Sequence, residues 1–217
     1  VLASCLADEG TLAAALGDPE HAPRIGFLPA FPWVATSSVQ SAAVEAAIDA
    51  LRGSGALVAK VSLPESCRDA NTVHRRITLR EAAGQLGELQ ERERSRMSAK
   101  LNAVLDEGCA VTAFDYAVAM EQRAEIIAEL TQWMAPFDAI VSPPAPGPAP
   151  ADLTQTGDSD CCTLWSLAGF PALTLPIALA PNGMPLGLQI AARHGEDKRA
   201  LASARWCETR LPFKGLI

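Results

Sequence analysis

The spacing of apolar residues changes several times along the chain, and each change predicts an element. Leu2, Leu6, Leu12 and Leu16 stand among alanines at helical spacing. After Gly17-Asp18-Pro19, residues 24–28 read RIGFL, a short strand. A helix follows with Ser37 or Ser38 as N-cap, and Val44, Ala47, Ile48 and Leu51 fall at i, i+3, i+4 and i+7 before Gly53-Ser54-Gly55 closes it. Residues 56–64, ALVAKVSLP, form a second strand. Strand, helix and strand joined by short links make a βαβ unit, which predicts parallel strands in a covered sheet.

Residues 72–134 carry a helical pattern interrupted by Gly84, Gly87 and Gly108. Within it, GELQERERSRMSAKL alternates in charge and reads as a solvated helical face. Thr112 and Asp115 form a capping box for a helix with its apolar stripe on Ile126, Ile127, Leu130, Trp133 and Met134. Residues 138–142 make a strand that Pro143 ends. The run SPPAPGPAPADLTQTGDSD, 142–160, is either a linker or a long surface loop over a pocket; the short strands around it favour the loop.

Next comes a hairpin. Leu173, Leu175, Ile177 and Leu179 alternate along one arm and Leu186, Leu188 and Ile190 along the other, with Pro181-Asn182-Gly183 at the corner. The opposite face carries Ala172, Thr174, Pro176, Ala178, Gly187 and Gln189, mostly small enough for a backbone or a ligand to come close. Pro176 predicts a bulge. A final helix spans 196–211, with Leu201, Ala204 and Leu211 on one side.

Composition narrows the classes of function. The chain has 217 residues, 49% of them apolar, enough for one sizeable core, and residues 1–217 are read as a single domain portion. A formal charge of -7 disfavours a nucleic-acid partner. Pro and Gly break every apolar stretch before the ~20 residues of a bilayer span, and no leader pattern opens the chain, so the expectation is a soluble cytoplasmic protein with no membrane partner. Cys5, Cys67, Cys109, Cys161, Cys162 and Cys207 lack the spacing of a disulfide framework or metal site. His21, His74 and His194 have no second ligand nearby in sequence, and neither a metal nor a cofactor is expected.

The residues show no catalytic centre. GxSxG, GxGxxG and GxxxxGK[ST] are all missing. Ser37-Ser38 precede a helix and read as caps, Lys60 lies within a strand, and Lys100, Lys198 and Lys214 sit in polar contexts.

A resemblance adds what composition does not. RIGFLPAF, the helix ending ALRGSGALVAKVSLPE, FDAIVSPPAPGPAP and the hairpin segment, in this order, resemble the C-terminal half of the amidase signature family. The most specific stretch, Trp165 to Arg193, follows the family's N-L-[AT]-G-x-P-A-[LIV]-[ST]-[LV]-P, G-[LM]-P and G-L-Q, with Ser166 where Asn is usual. The resemblance implies an α/β fold, a mixed β-sheet flanked by helices, and hydrolysis of a carbon–nitrogen amide bond by a Ser-Ser-Lys mechanism. The family carries those residues in a Gly-Ser-rich segment of its N-terminal half. That segment is not among these residues, so no catalytic residue is carried over.

By position the resemblance makes Asp160, Cys161, Cys162, Thr163, Trp165 and Ser166 substrate-binding candidates, with core packing and helix capping by Asp160 as the competing roles. It implies two partners, a small-molecule amide substrate and the N-terminal half of the same enzyme, in the same or a separate chain. The small-residue hairpin face would lie against that half, and the chain alone is expected to be inactive and either to self-associate as a homo-oligomer or to be unstable. The alternatives are a non-catalytic binding or assembly subunit with this fold, or the A-subunit role of an amidotransferase.

Overall fold

Two buried strands set the centre of the sheet. In the computed structural model, which describes residues 21–211 with Phe213 and Gly215, β1 (Arg24–Phe27) and β3 (Ala139–Ser142) run parallel, Gly26 opposite Ile140. The expected opening helix on Leu2, Leu6, Leu12 and Leu16, together with Cys5 and Lys214, lies outside the described residues. β1 feeds α1 (Ser38–Gly53), where Ser37 Oγ accepts the Gln40 N–H at 3.3 Å and all four residues of the predicted stripe are buried. β2 (Leu57–Lys60) then returns parallel to β1.

The covered-sheet expectation fails at β2. It lies at the sheet's edge, has four residues, and leaves Leu57 68% exposed.

The helical stretch folds as α2 (Ala70–Glu93), α3 (Ala99–Ala110) and α4 (Ala113–Trp133). Gly84 and Gly87 do not interrupt it, and Gly108 lies two residues before the end of α3. α2 runs unbroken through Gly84 and Gly87, because a helical glycine costs only about 1 kcal/mol, an amount that packing overrides. One break comes at a short 3-10 turn, Arg94–Arg96, where Ser98 offers its Oγ to the Leu101 N–H and starts α3, and the other at Val111 and Thr112. Gly108 lies inside α3 for a different reason: a Cβ there would stand 2.1 Å from the Leu79 carbonyl oxygen of α2. Thr112 caps α4 as predicted, its Oγ1 accepting the Asp115 N–H at 3.0 Å.

Three further elements follow: α5 (Thr163–Ala168), the hairpin β4 (Ala172–Leu179) and β5 (Pro185–Ala191), and α6 (Asp197–Glu208). β5 pairs antiparallel with β3, giving a mixed five-stranded sheet in the order β2-β1-β3-β5-β4. One face packs Leu28, Ile140 and Ala191 against α2, α4 and α5; the other packs Ile25, Phe27, Val141, Leu188 and Ile190 against α1 and α6. Among the described residues no helix is long and apolar enough to cross a membrane.

Candidate functional site

The two strands at the centre of the sheet lead to different sides. After β1 the chain crosses through α1 to β2, whereas β3 lies on the opposite flank of β1. The carboxyl ends of β1 and β3 therefore mark a topological switch point, where open α/β sheets form their ligand crevices. A groove of about 620 Å³ opens beside the end of β3. One wall is the proline-rich loop 144–150; the other is the small-residue face of the hairpin, with Thr174, Pro176 and Gly187.

Local chemistry holds these walls in place. Gly183 at φ +80° lets the Pro181-Asn182-Gly183 corner close, and the ladder shifts register between Pro176 and Ala178, the predicted bulge. A Cβ on Gly187 would come within 2.6 Å of Thr174 Cγ2 and 2.8 Å of Pro144 Cγ, so the walls can approach only over a glycine. The buried Gln40, from the first turn of α1, donates its Nε2 to the Gly187 carbonyl at 2.7 Å. The Ser37 N–H donates to the Pro146 carbonyl at 2.6 Å, fastening the loop to the start of α1. Proline and alanine dominate the lining, which gives an apolar cleft with few polar groups, suited to an aryl or aliphatic moiety.

The six sequence candidates do not form one pocket. Cys161, Thr163 and Trp165 are buried, Trp165 edge-on to Phe31 with ring centroids 6.4 Å apart, and burial pushes the Cys161 thiol up to about 12. Ser166 is exposed. Asp160 is half-buried and does not cap a helix: its carboxylate accepts from Asn71 Nδ2 at 3.3 Å, and its carbonyl accepts the Trp33 indole N–H at 3.0 Å. Cys162 is half-buried, and its thiol donates to the Pro144 carbonyl at 3.5 Å. Of the six, only Cys162 and Asp160 bond to residues lining the groove, Cys162 to Pro144 and Asp160 through its N–H to Asp158 Oδ1 at 2.7 Å.

Sequence reading missed the buried glutamines. Gln189 Oε1 accepts from Trp165 Nε1 at 3.0 Å and Ser142 Oγ at 3.2 Å, while its Nε2 donates to Cys162 Sγ at 3.5 Å. One available signal was that Gln189 is the only long polar side chain on an otherwise small-residue hairpin face.

Nucleophilic chemistry finds no machinery among the described residues. Lys60, Lys100 and Lys198 are exposed, and none bonds to a serine. Cys67 and Cys207 are buried thiols pushed up by burial, to about 11 and about 12, the reverse of an activated nucleophile. No group of three His, Cys, Asp or Glu residues is placed to hold a metal among the described residues.

Comparison with known proteins gives a consistent picture. The sequence model of the Amidase family matches residues 3–201. The A-subunit of the glutamyl-tRNA(Gln) amidotransferase of Pseudothermotoga lettingae is 36% identical over 101 residues, 44% of this chain and 21% of that protein. Among solved structures, the crystal structure of an amidase superposes with a TM-score of 0.80 at 28% identity, covering 90% of this chain and 48% of the other. The glutamyl-tRNA(Gln) amidotransferase A-subunit of Thermotoga maritima shares the fold, with a TM-score of 0.66 at 24% identity over 88% of this chain and 43% of its own. The chain thus spans just under half the length of these solved structures.

Proposed function

The chain belongs to the amidase family, whose members act on amides, and from that premise we propose that it is the C-terminal half of an amidase hydrolysing carbon–nitrogen amide bonds. In this reading a Ser-Ser-Lys set outside these 217 residues breaks the bond. Its serine adds to the amide carbonyl, the amine leaves with a proton, and water releases the acyl group. These residues supply a wall of the substrate site. The groove beside β3 takes the apolar part of a small amide, and Cys162, Trp165 and Asp160 shape its surroundings, with Cys161, Thr163 and Ser166 as neighbours on the same segment.

The observation that carries the reading is the mismatch between fold and chemistry. The fold superposes on an amidase over nine-tenths of this chain, yet the described lysines are exposed and form no bond to a serine. The partner is the N-terminal half, in the same chain or another. The exposed residues of β4, an edge strand with small side chains at Ala172 and Thr174, offer it a surface.

A serine-directed fluorophosphonate tests this. The 217-residue chain alone should remain unlabelled and leave simple amides intact, while the parent enzyme should be labelled on a serine outside residues 1–217. Stoichiometric labelling of a serine within them sinks the proposal. A parent that is never labelled points instead to a non-catalytic role in assembly.

A further inference from the structure

Gln189 is fixed in one orientation by its neighbours. It sits on β5 at 3% exposure, opposite Ser142 of β3 on one side and Thr174 of β4 on the other. The indole N–H of Trp165 can only donate, so the amide oxygen must face it; the flipped amide would set donor against donor. Nε2 is thereby aimed at Cys162 Sγ, and the thiol passes the connection on to the Pro144 carbonyl. Pro144 lines the groove, its Cγ 2.8 Å from where a Cβ on Gly187 would be. The wall between Pro144 and Pro146 is therefore strung between two fixed points, the thiol at one end and the Ser37 N–H at the other.

We propose that Gln189 is a positioning residue for substrate: through Cys162 it holds Pro144 against the hairpin and so sets the width of the groove that receives the apolar part of the amide. The inference rests on the amidase reading above. Gln189 touches no substrate itself. Pro144 Cγ already stands 2.8 Å from where a Cβ on Gly187 would be, which leaves little room toward the hairpin, so loss of the thiol link widens the groove and weakens the fit of a small amide.

The test uses the parent amidase, with acetanilide and hexanamide as aryl and aliphatic probes. Cys162→Ala and Gln189→Glu should each raise KM about fivefold with kcat held within about twofold, the split expected when positioning of bound substrate is lost and chemistry is not. Cys162→Ser, which can still accept from Gln189 and donate to Pro144, should restore KM, and the double variant Q189E/C162A should be no worse than either single one. The Ser37 amide, bonded to Pro146, should exchange about tenfold faster in Cys162→Ala. Should Gln189→Glu fail to fold, the Ala and Ser variants at 162 decide. An unchanged KM in Cys162→Ala overturns the inference, as does a Cys162→Ser enzyme no better than Cys162→Ala. For an enzyme that turns over neither probe, unchanged Ser37 exchange overturns it. A parent never labelled by fluorophosphonate removes the amidase reading itself, whereas a labelled parent indifferent to Cys162→Ala removes only this inference.

Discussion

The β4–β5 hairpin and the α2–α3 hairpin solve the same packing problem with the same two residue types. Each has a glycine where a Cβ would collide with its neighbours, Gly187 in one and Gly108 in the other, and each buries one glutamine, Gln189 or Gln90. The surroundings differ. Gly108 faces the backbone of α2 at Leu79, and Gln90 donates to Asn102 and Asp106 beside the turn that joins the two helices. Gly187 faces side chains, Thr174 and Pro144, and Gln189 connects to Trp165, Ser142 and Cys162 beside the groove. The same device holds two helices together in one place and shapes a groove in the other.

The glycines should separate the two hairpins most widely. Gly108→Ala drives a methyl group into the Leu79 carbonyl, and a backbone cannot step aside without parting the helices, so the expected loss is about 3 kcal/mol by urea denaturation. Gly187→Ala meets two side chains rather than a backbone, Thr174 on the edge strand and Pro144 on the loop, and small shifts of both relieve it, for a smaller loss of about 1 kcal/mol. Equal losses would erase the distinction between backbone and side-chain contact.

The glutamines should differ less. Gln189→Leu strands the Trp165 indole N–H and the Ser142 hydroxyl in a buried site, which should cost about 2 kcal/mol. Gln90→Leu costs about 1 kcal/mol, because Asp106 is exposed and its carboxylate can turn to water. If Gln90→Leu proves the costlier, the helical hairpin depends on its polar pin more than the β-hairpin does.

How far the sequence reaches follows from the range of the interactions. Ser37 and Thr112 were readable as caps because the N–H each accepts lies three residues on. The Pro176 bulge and the Gly183 corner were readable because proline and glycine act on their own backbone. Breaks at Gly84 and Gly87 were expected from propensity, which tertiary packing outweighs in α2. The insertion of β5 beside β3 depends on a pairing 47 residues apart at Ser142 and Gln189, and no local pattern encodes it. The mixed sheet was expected only from the family resemblance. The site divides similarly: the segment 160–166 was picked out by position alone, and of it Cys162 bonds to Pro144 of the groove, whereas the bond from Gln40 to Gly187 spans 147 residues and became visible only in the fold.

The smallest difference between the hairpins concerns acid. Arg94 donates two hydrogen bonds to Asp106 and, with its charge and the Gln90 amide, holds that carboxyl below its ordinary range. A carboxyl depressed in the folded state adds stability above its unfolded value, and the gain is lost as pH falls through the folded one. The β-hairpin's buried bonds, from Gln40 to Gly187 and around Gln189, involve no carboxylate, so acid removes nothing from them directly. As pH falls from about 5 to about 2, hydrogen exchange at the Asn102 end of α3 should therefore accelerate, after correction for intrinsic rates, while the β5 amides keep their protection. Asp106→Asn should remove most of that pH dependence, since it keeps an acceptor for Gln90 and Arg94 but cannot titrate. If β5 loosens in step with α3, the two hairpins open as one unit, and the separation between a helical pair and a groove is wrong at the level of dynamics.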